Sequence, residues 1–204
     1  MMNEFVKSAS LLLVLLNPFL VIIYLIDMVE TLDRRQFAQV MVRAGLIATV
    51  VFCCFAILGD AIFADVVQAQ FASFQIFGGV VFLLIGLQFV FRGPTAIEIL
   101  RGKSENLAGA VAMPVLIGPG TISASVVIGK RLDALSACAA VIVAVGFFVA
   151  VTLMLKALHD FVRPRQAFLV KRYIEIAGRI TALFVGTVSV EMIMQGLLSW
   201  SQRF

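Results

Sequence analysis

The sequence predicts an all-α membrane protein of six transmembrane helices, built as two inverted-topology three-helix repeats in which helices 1 and 4 are discontinuous. Three observations carry this. The 204-residue chain is 62% hydrophobic and 14% charged, with a mean hydropathy of +1.07, whereas a soluble domain is about half apolar. It divides into six apolar stretches, each near the roughly 20 residues that a span needs. Two of those stretches carry proline in their middles, one of them with glycine on both sides of it, where a membrane helix should be continuous.

The first span is expected from about Phe5 to Met28, interrupted by Asn17-Pro18. Lys7 before Leu11 to Leu16 has the look of a signal peptide, but the apolar run continues past Pro18 to Ile26 with no small-residue cleavage site, so it reads as a span. The second is expected from about Gly45 to Phe63, the third from Ser73 to Phe91, the fourth from Leu107 to Ile128, the fifth from Leu135 to Leu158 and the sixth from Ile174 to Leu198. The longest loops fall at Arg92 to Asn106 and His159 to Arg172, the second reading as an amphipathic segment on the membrane surface. No soluble domain fits in the remainder, so residues 1–204 form one membrane domain, with repeats over about 1–92 and 107–204 joined by a cytoplasmic loop.

Basic residues orient the spans. Eleven of the sixteen lysines and arginines group with the loops after spans one, three and five, counting Lys156 at the end of span five with its loop, and Lys7, Lys130, Arg131 and Arg203 lie on the other side. This puts both termini outside the cytoplasm, in a multi-pass protein of the inner (plasma) membrane. The same placement answers the basic pI near 9.3, which needs no nucleic-acid partner. Cys53, Cys54 and Cys138 all fall in apolar segments and read as small buried hydrophobes.

The stretch that organises the chain is Ala112-Met113-Pro114-Val115-Leu116-Ile117-Gly118-Pro119-Gly120-Thr121-Ile122-Ser123. Proline removes a backbone donor and clashes with the carbonyl four residues back, and Pro119 drives Gly118 out of the helical region. The helix must break near Gly118. In hydrocarbon a broken backbone survives only inside protein or beside a wet cavity, and the restarted half-helix exposes amide donors that suit an anion. Discontinuous helices of this kind point to a transporter's binding site; the alternative is a proline kink repaired by neighbouring helices.

Blocks recur along the chain. Gln75-Ile76-Phe77-Gly78 through Gly86 resembles Glu175-Ile176-Ala177-Gly178 through Gly186, and Leu15-Leu16-Asn17-Pro18 resembles Leu116-Ile117-Gly118-Pro119. Each half opens with a broken span, and three spans per half is odd, so the halves must have opposite orientation. Chance matching of apolar sequence is the competing explanation. Gly78 and Gly86, and Gly178 and Gly186, are placed for close helix packing.

On these residues the chain resembles the MarC family of six-span integral membrane proteins, over nearly its whole length. Ala112-Met113-Pro114, Gly118-Pro119-Gly120-Thr121-Ile122 and Asn17-Pro18 look like that family's motifs in spans four and one; Phe77-Gly78-Gly79 and 174–179 match blocks in spans three and six, and Arg179 falls where the family commonly has arginine. Two departures bear on substrate or ion requirement. Phe19-Leu20-Val21-Ile22 follows Asn-Pro where glycine and a second proline are usual, and Gln75 stands where an arginine usually precedes Gly-Gly. The resemblance implies a transporter, in some members of small neutral amino acids such as glycine and alanine.

A zwitterion suits both half-helix ends: its carboxylate the amides, its ammonium the carbonyls. Gly118, Pro119, Gly120, Thr121 and Ser123 are expected to line one wall of a substrate site, and Asn17 with Pro18 the other. The hydroxyls of Thr121 and Ser123 could instead satisfy carbonyls freed by the break, and Asn17 could bridge two broken helices. Ionisable groups inside membranes are functional candidates: Glu191 for a proton, and Glu175 with Arg179, four apart, as an ion pair. Gln75 could bond between the halves or act as plain helix glue. No nucleophile motif, metal-ligand cluster or phosphate loop argues for an enzyme, a metal or a cofactor. The expected function is therefore secondary transport or export of small neutral amino acids or similar polar metabolites by alternating access. The expected partners are that solute, membrane lipid and possible further copies of the chain. A channel-like permeation protein and a non-transporting membrane assembly factor are the alternatives.

Overall fold

The structure, a computed structural model, describes residues 2–18, 21–22, 25–63, 70–92 and 116–201. The described residues are all-helical: α1 (Met2–Leu16), α2 (Ile26–Thr31), α3 (Arg34–Ala61), α4 (Phe71–Arg92), α5 (Pro119–Arg131) and α6 (Ala134–Ser201). Among them, Arg34–Gly59, Phe71–Gln88, Ala134–Phe161 and Leu183–Ser201 are each long and apolar enough to cross a membrane. The expected loop between Arg92 and Asn106 and the first half of span four lie outside the described residues.

Local chemistry sets the helix starts. The Asp33 carboxylate accepts the Gln36 amide at 2.7 Å and the Gln36 side chain accepts the Asp33 amide at 3.4 Å, a reciprocal cap that satisfies two orphan donors. It starts α3 at Arg34, eleven residues before the expected Gly45. Asp133 caps α6 by accepting the Ser136 amide at 3.2 Å, and bonds from Ser136 hold its carboxyl below the ordinary range.

α6 corrects the expected loop at His159 to Arg172: the backbone is helical from Ala134 to Ser201. Sixty-eight residues in a straight helix would span about 100 Å, and the contacts forbid that. Arg34 meets Asp160 while Gly45 abuts Val145 and Val149, so α3 and the first part of α6 run antiparallel. Further on, Gly79 abuts Ser189 and Ile193, and Gly196 abuts Ala72 and Ile76, so the last part of α6 runs antiparallel to α4. The helix therefore folds back between residues 161 and 183, a stretch that contains Pro164.

These contacts sort the helix ends. Glu4 feels the charge of Arg131, and Lys130 stands 5.7 Å over the Phe71 ring. The starts of α1, α4 and α6 and the ends of α5 and α6 thus gather at one end of the bundle, the terminal end. Arg34, Asp160 and Lys156 mark the other. The main core runs through Leu12, Leu16, Val21, Leu25, Phe37, Met41, Phe52, Leu116, Ile128 and Phe148.

Gly79 and Gly196 form a reciprocal seat: a Cβ on Gly79 would lie 2.8 Å from the Ser189 carbonyl oxygen, and one on Gly196 2.9 Å from that of Ala72. Small residues let helix backbones approach this closely. Gly78 packs as expected, against Pro119, but Gly186 has open space around it, so close packing is not its role. Gly196→Leu is expected to separate α4 from the end of α6 and to lower thermal stability in detergent by about 2 kcal/mol or more, as overpacking does.

Candidate functional site at the helix breaks

In the two stretches expected to be broken, the helix is interrupted beside proline. α1 stops at Leu16 and Asn17 takes a left-handed φ of 41°, while its amide donates to the Leu13 carbonyl and its carbonyl accepts the Val21 amide, each at 3.1 Å. Asparagine is among the few side chains that tolerate this region. In span four Gly118 is extended, with φ −117° and ψ 169°, and Pro119 opens α5 at a position where its missing amide costs nothing. α1 has 15 residues and α5 has 13, and both reach the terminal end. At helical rise each break lies about 20 Å from that end, so the two are at matching depth. Leu16 and Val21 flank the first break, Leu116 and Ile117 precede the second, and all four share one buried cluster.

Thr121 organises the second break. Its hydroxyl accepts the Gly118 amide at 3.0 Å and lies within bonding distance of the Leu116 carbonyl, 2.9 Å, and the Gly118 carbonyl, 3.0 Å. It is thus the internal cap of the half-helix. Ser125 bonds back to the Thr121 carbonyl at 2.8 Å. Ser123 does not behave this way. Its hydroxyl is buried, 6% exposed, and has no hydrogen-bond partner among the described residues. Buried polar groups are normally satisfied, so this one stands out.

Two side chains that the sequence did not single out close over the break. The Phe82 ring of α4 abuts both Gly118 and Gly120, and the Met192 side chain of α6 reaches Gly78 and Gly120. Pro119 sits on Gly78, where a Cβ would lie 2.1 Å from its ring. Gln75, one turn nearer the terminal end on α4, is buried at 7% exposure. The break is thus assembled from three helices: α5 supplies the backbone, α4 an aromatic cover and α6 a thioether. Pro18 is buried and Asn17 half-buried.

Glu191 is not brought to this place. It is exposed on the outer face of α6, where Gln195 donates to it at 2.7 Å. The side chains of Glu175 and Arg179 lie outside the described residues. Cys54 is exposed rather than buried, and all three cysteines are free.

The pattern for a MarC family integral membrane protein matches residues 2–201. A UPF0056 membrane protein of Pyrococcus horikoshii is 25% identical over 198 residues, covering 96% of this chain and 94% of that protein. One from Aquifex aeolicus is 25% identical over 203 residues, covering 95% and 92%. The UPF0056 inner membrane protein YhgN of Escherichia coli is 25% identical over 119 residues, covering 58% and 60%. No solved structure matches. With breaks of span and motif falling on the same residues, and a match along almost its whole length, the chain belongs to the MarC family of integral membrane proteins.

Proposed function

We propose that the protein is a secondary transporter of the inner membrane that moves small neutral amino acids, or polar metabolites of that size, by alternating access. The observation that carries this reading is the pair of helix breaks at matching depth, one of them followed in the first turn and a half of α5 by a buried hydroxyl, Ser123, that lacks a hydrogen-bond partner among the described residues. A polar solute there would meet the Gly120 and Thr121 amides at the start of α5, the Ser123 hydroxyl and, across the core, Asn17. Phe82 and Met192 would exclude larger side chains.

Alternating access by rocking of two halves needs those halves to be related, and an offset of 100 residues supports that. Residues 41–56 and 141–156 are buried, half-buried and exposed at the same positions throughout. Asp33 and Asp133 cap the two helices concerned. Ala56 packs on Gly129 at one end and Lys156 reaches Val29 at the other, a contact that maps onto the first when 100 is exchanged between partners. On this reading six spans form two inverted halves, and the charge bias places the Arg34 end in the cytoplasm with both termini outside.

The test is counterflow of radiolabelled alanine in liposomes holding the purified protein. Saturable counterflow is expected, reduced about tenfold or more in Gly120→Leu, whose side chain would press on Phe82, and in Asn17→Ala. Flux that rises linearly with concentration would identify a channel instead. No flux, with no thermal shift from any small solute, would leave an assembly factor.

A further inference from the structure

We propose that Lys156 is the latch of this transporter: it holds the second half of span one shut at the Arg34 end, and transport requires its release. The inference rests on the transport reading above.

Lys156 is 4% exposed, which for lysine calls for a reason. Its ammonium donates to the Val29 carbonyl in the last full turn of α2 and to Asp160 at 2.7 Å. Asp160 also accepts from Arg34 at 3.2 Å, and Arg34 reaches the Ala157 carbonyl at 3.4 Å. One side chain therefore ties three elements: α2, which continues the broken span; α3, through Asp160 and Arg34; and α6, which bears it. α2 is six residues long and lies beyond the left-handed turn at Asn17, to which it is joined by helical bonds through Val21 and Leu25, so Lys156 holds the part of span one that follows that turn.

The counterpart joint at the terminal end has a different chemistry. There Gly129 lies flat on the Ala56 carbonyl, so close that a Cβ would sit 1.7 Å from the oxygen. That joint is backbone against backbone. The Arg34 end substitutes a long side chain and a carbonyl for this contact. Its closure is also incompletely satisfied: His159 buries both ring nitrogens without a hydrogen bond among the described residues, its Nδ1 stopping 3.7 Å short of the Asp160 carboxylate. A permanent joint would not be expected to carry such a deficit. Charge-assisted bonds such as Lys156 makes are strong when formed, yet water replaces them readily when the joint opens, whereas a glycine contact has nothing to exchange. The end built from a lysine is the one suited to opening.

The experiment reads access rather than flux. Leu25 is 2% exposed and lies one turn before Val29, which donates to its carbonyl at 2.8 Å. A Leu25→Cys variant in oriented vesicles is treated with a membrane-impermeant maleimide from each side, and the labelling of the parent cysteines, Cys53, Cys54 and Cys138, is subtracted. Adding Lys156→Met, which keeps length and removes the donor, is expected to raise the labelling rate from the Arg34 side on the order of tenfold, with no change from the terminal side. An unchanged rate, or an equal rise from both sides, overturns the proposal. If Lys156→Met is not recovered folded, Asp160→Asn takes its place, with a smaller one-sided rise expected and the same two contrary results. Alanine counterflow in the same vesicles separates the two readings. One-sided opening in a protein that moves no solute removes the transport reading alone. Normal counterflow with unchanged labelling removes the latch alone.

Discussion

Gly129→Ala is expected to prevent recovery of folded protein, although it adds one methyl group. A Cβ at Gly129 would lie 1.7 Å from the Ala56 carbonyl oxygen, 2.6 Å from its carbon and 3.0 Å from its Cα. All three are backbone atoms of α3, and no rotamer change relieves the clash. The two helices would have to part along a seam that also includes Gly59 against Val126. Overpacking of flexible side chains costs about 1–3 kcal/mol, and a rigid backbone collision should exceed that, approaching the whole stability of an ordinary domain. The measurement is monodisperse yield on size exclusion and thermal unfolding in detergent. Gly146→Ala is the control, because a Cβ there meets nothing within 4 Å. Equal behaviour of the two variants would show that α5 does not lie against α3 as described.

Thr121→Val should have the second-largest effect, and for a different reason. Valine keeps the shape and removes the hydroxyl, so the buried Gly118 amide loses its acceptor and the Leu116 carbonyl loses a donor, while the Gly118 carbonyl keeps the Ile122 amide at 3.0 Å. An unsatisfied buried donor costs about 1–3 kcal/mol, and here there is no water from which to recover it. A loss of about 2 kcal/mol in stability is expected from this principle, together with loss of alanine counterflow, because the amides at the start of α5 would no longer be held in place. Thr121→Ser, which retains the oxygen, should stay near the parent in both. If valine and serine behave alike, the hydroxyl is not the cap of the break.

What was legible in the sequence follows the range of the forces involved. The breaks at Asn17-Pro18 and Gly118-Pro119 were readable because proline acts on its own residue and its immediate neighbours. Apolar length likewise located the second, third and fifth spans. The start of α3 was misplaced because Asp33 and Gln36 build their cap within a polar stretch that hydropathy ignores. Phe82 and Met192 could not be found, since each acts on glycines of another helix. Thr121 and Ser123 looked alike as hydroxyls; only the geometry separates the cap from the unsatisfied group. Glu191 faces outward because the Gly79 and Gly196 seat sets the rotation of the end of α6, and that seat depends on register between distant segments. Lys156 counted as a loop charge for the same reason: the carbonyl it bonds is 127 residues away.

The length of α3 has a consequence for the ion cluster at its beginning. The helix has 28 residues, about 42 Å at helical rise, against a hydrocarbon thickness of about 30 Å. Its apolar part ends at the Gly59 end, and Arg34, Arg35, Gln36 and Arg43 are all exposed near its start. The surplus is therefore expected to emerge at the Arg34 end, carrying Arg34, which is bonded to Asp160, toward the level of the lipid phosphates. Anionic headgroups can there compete with Asp160 for exposed Arg34, so the charge of the surrounding lipid becomes a determinant of how firmly that mouth of the protein is held.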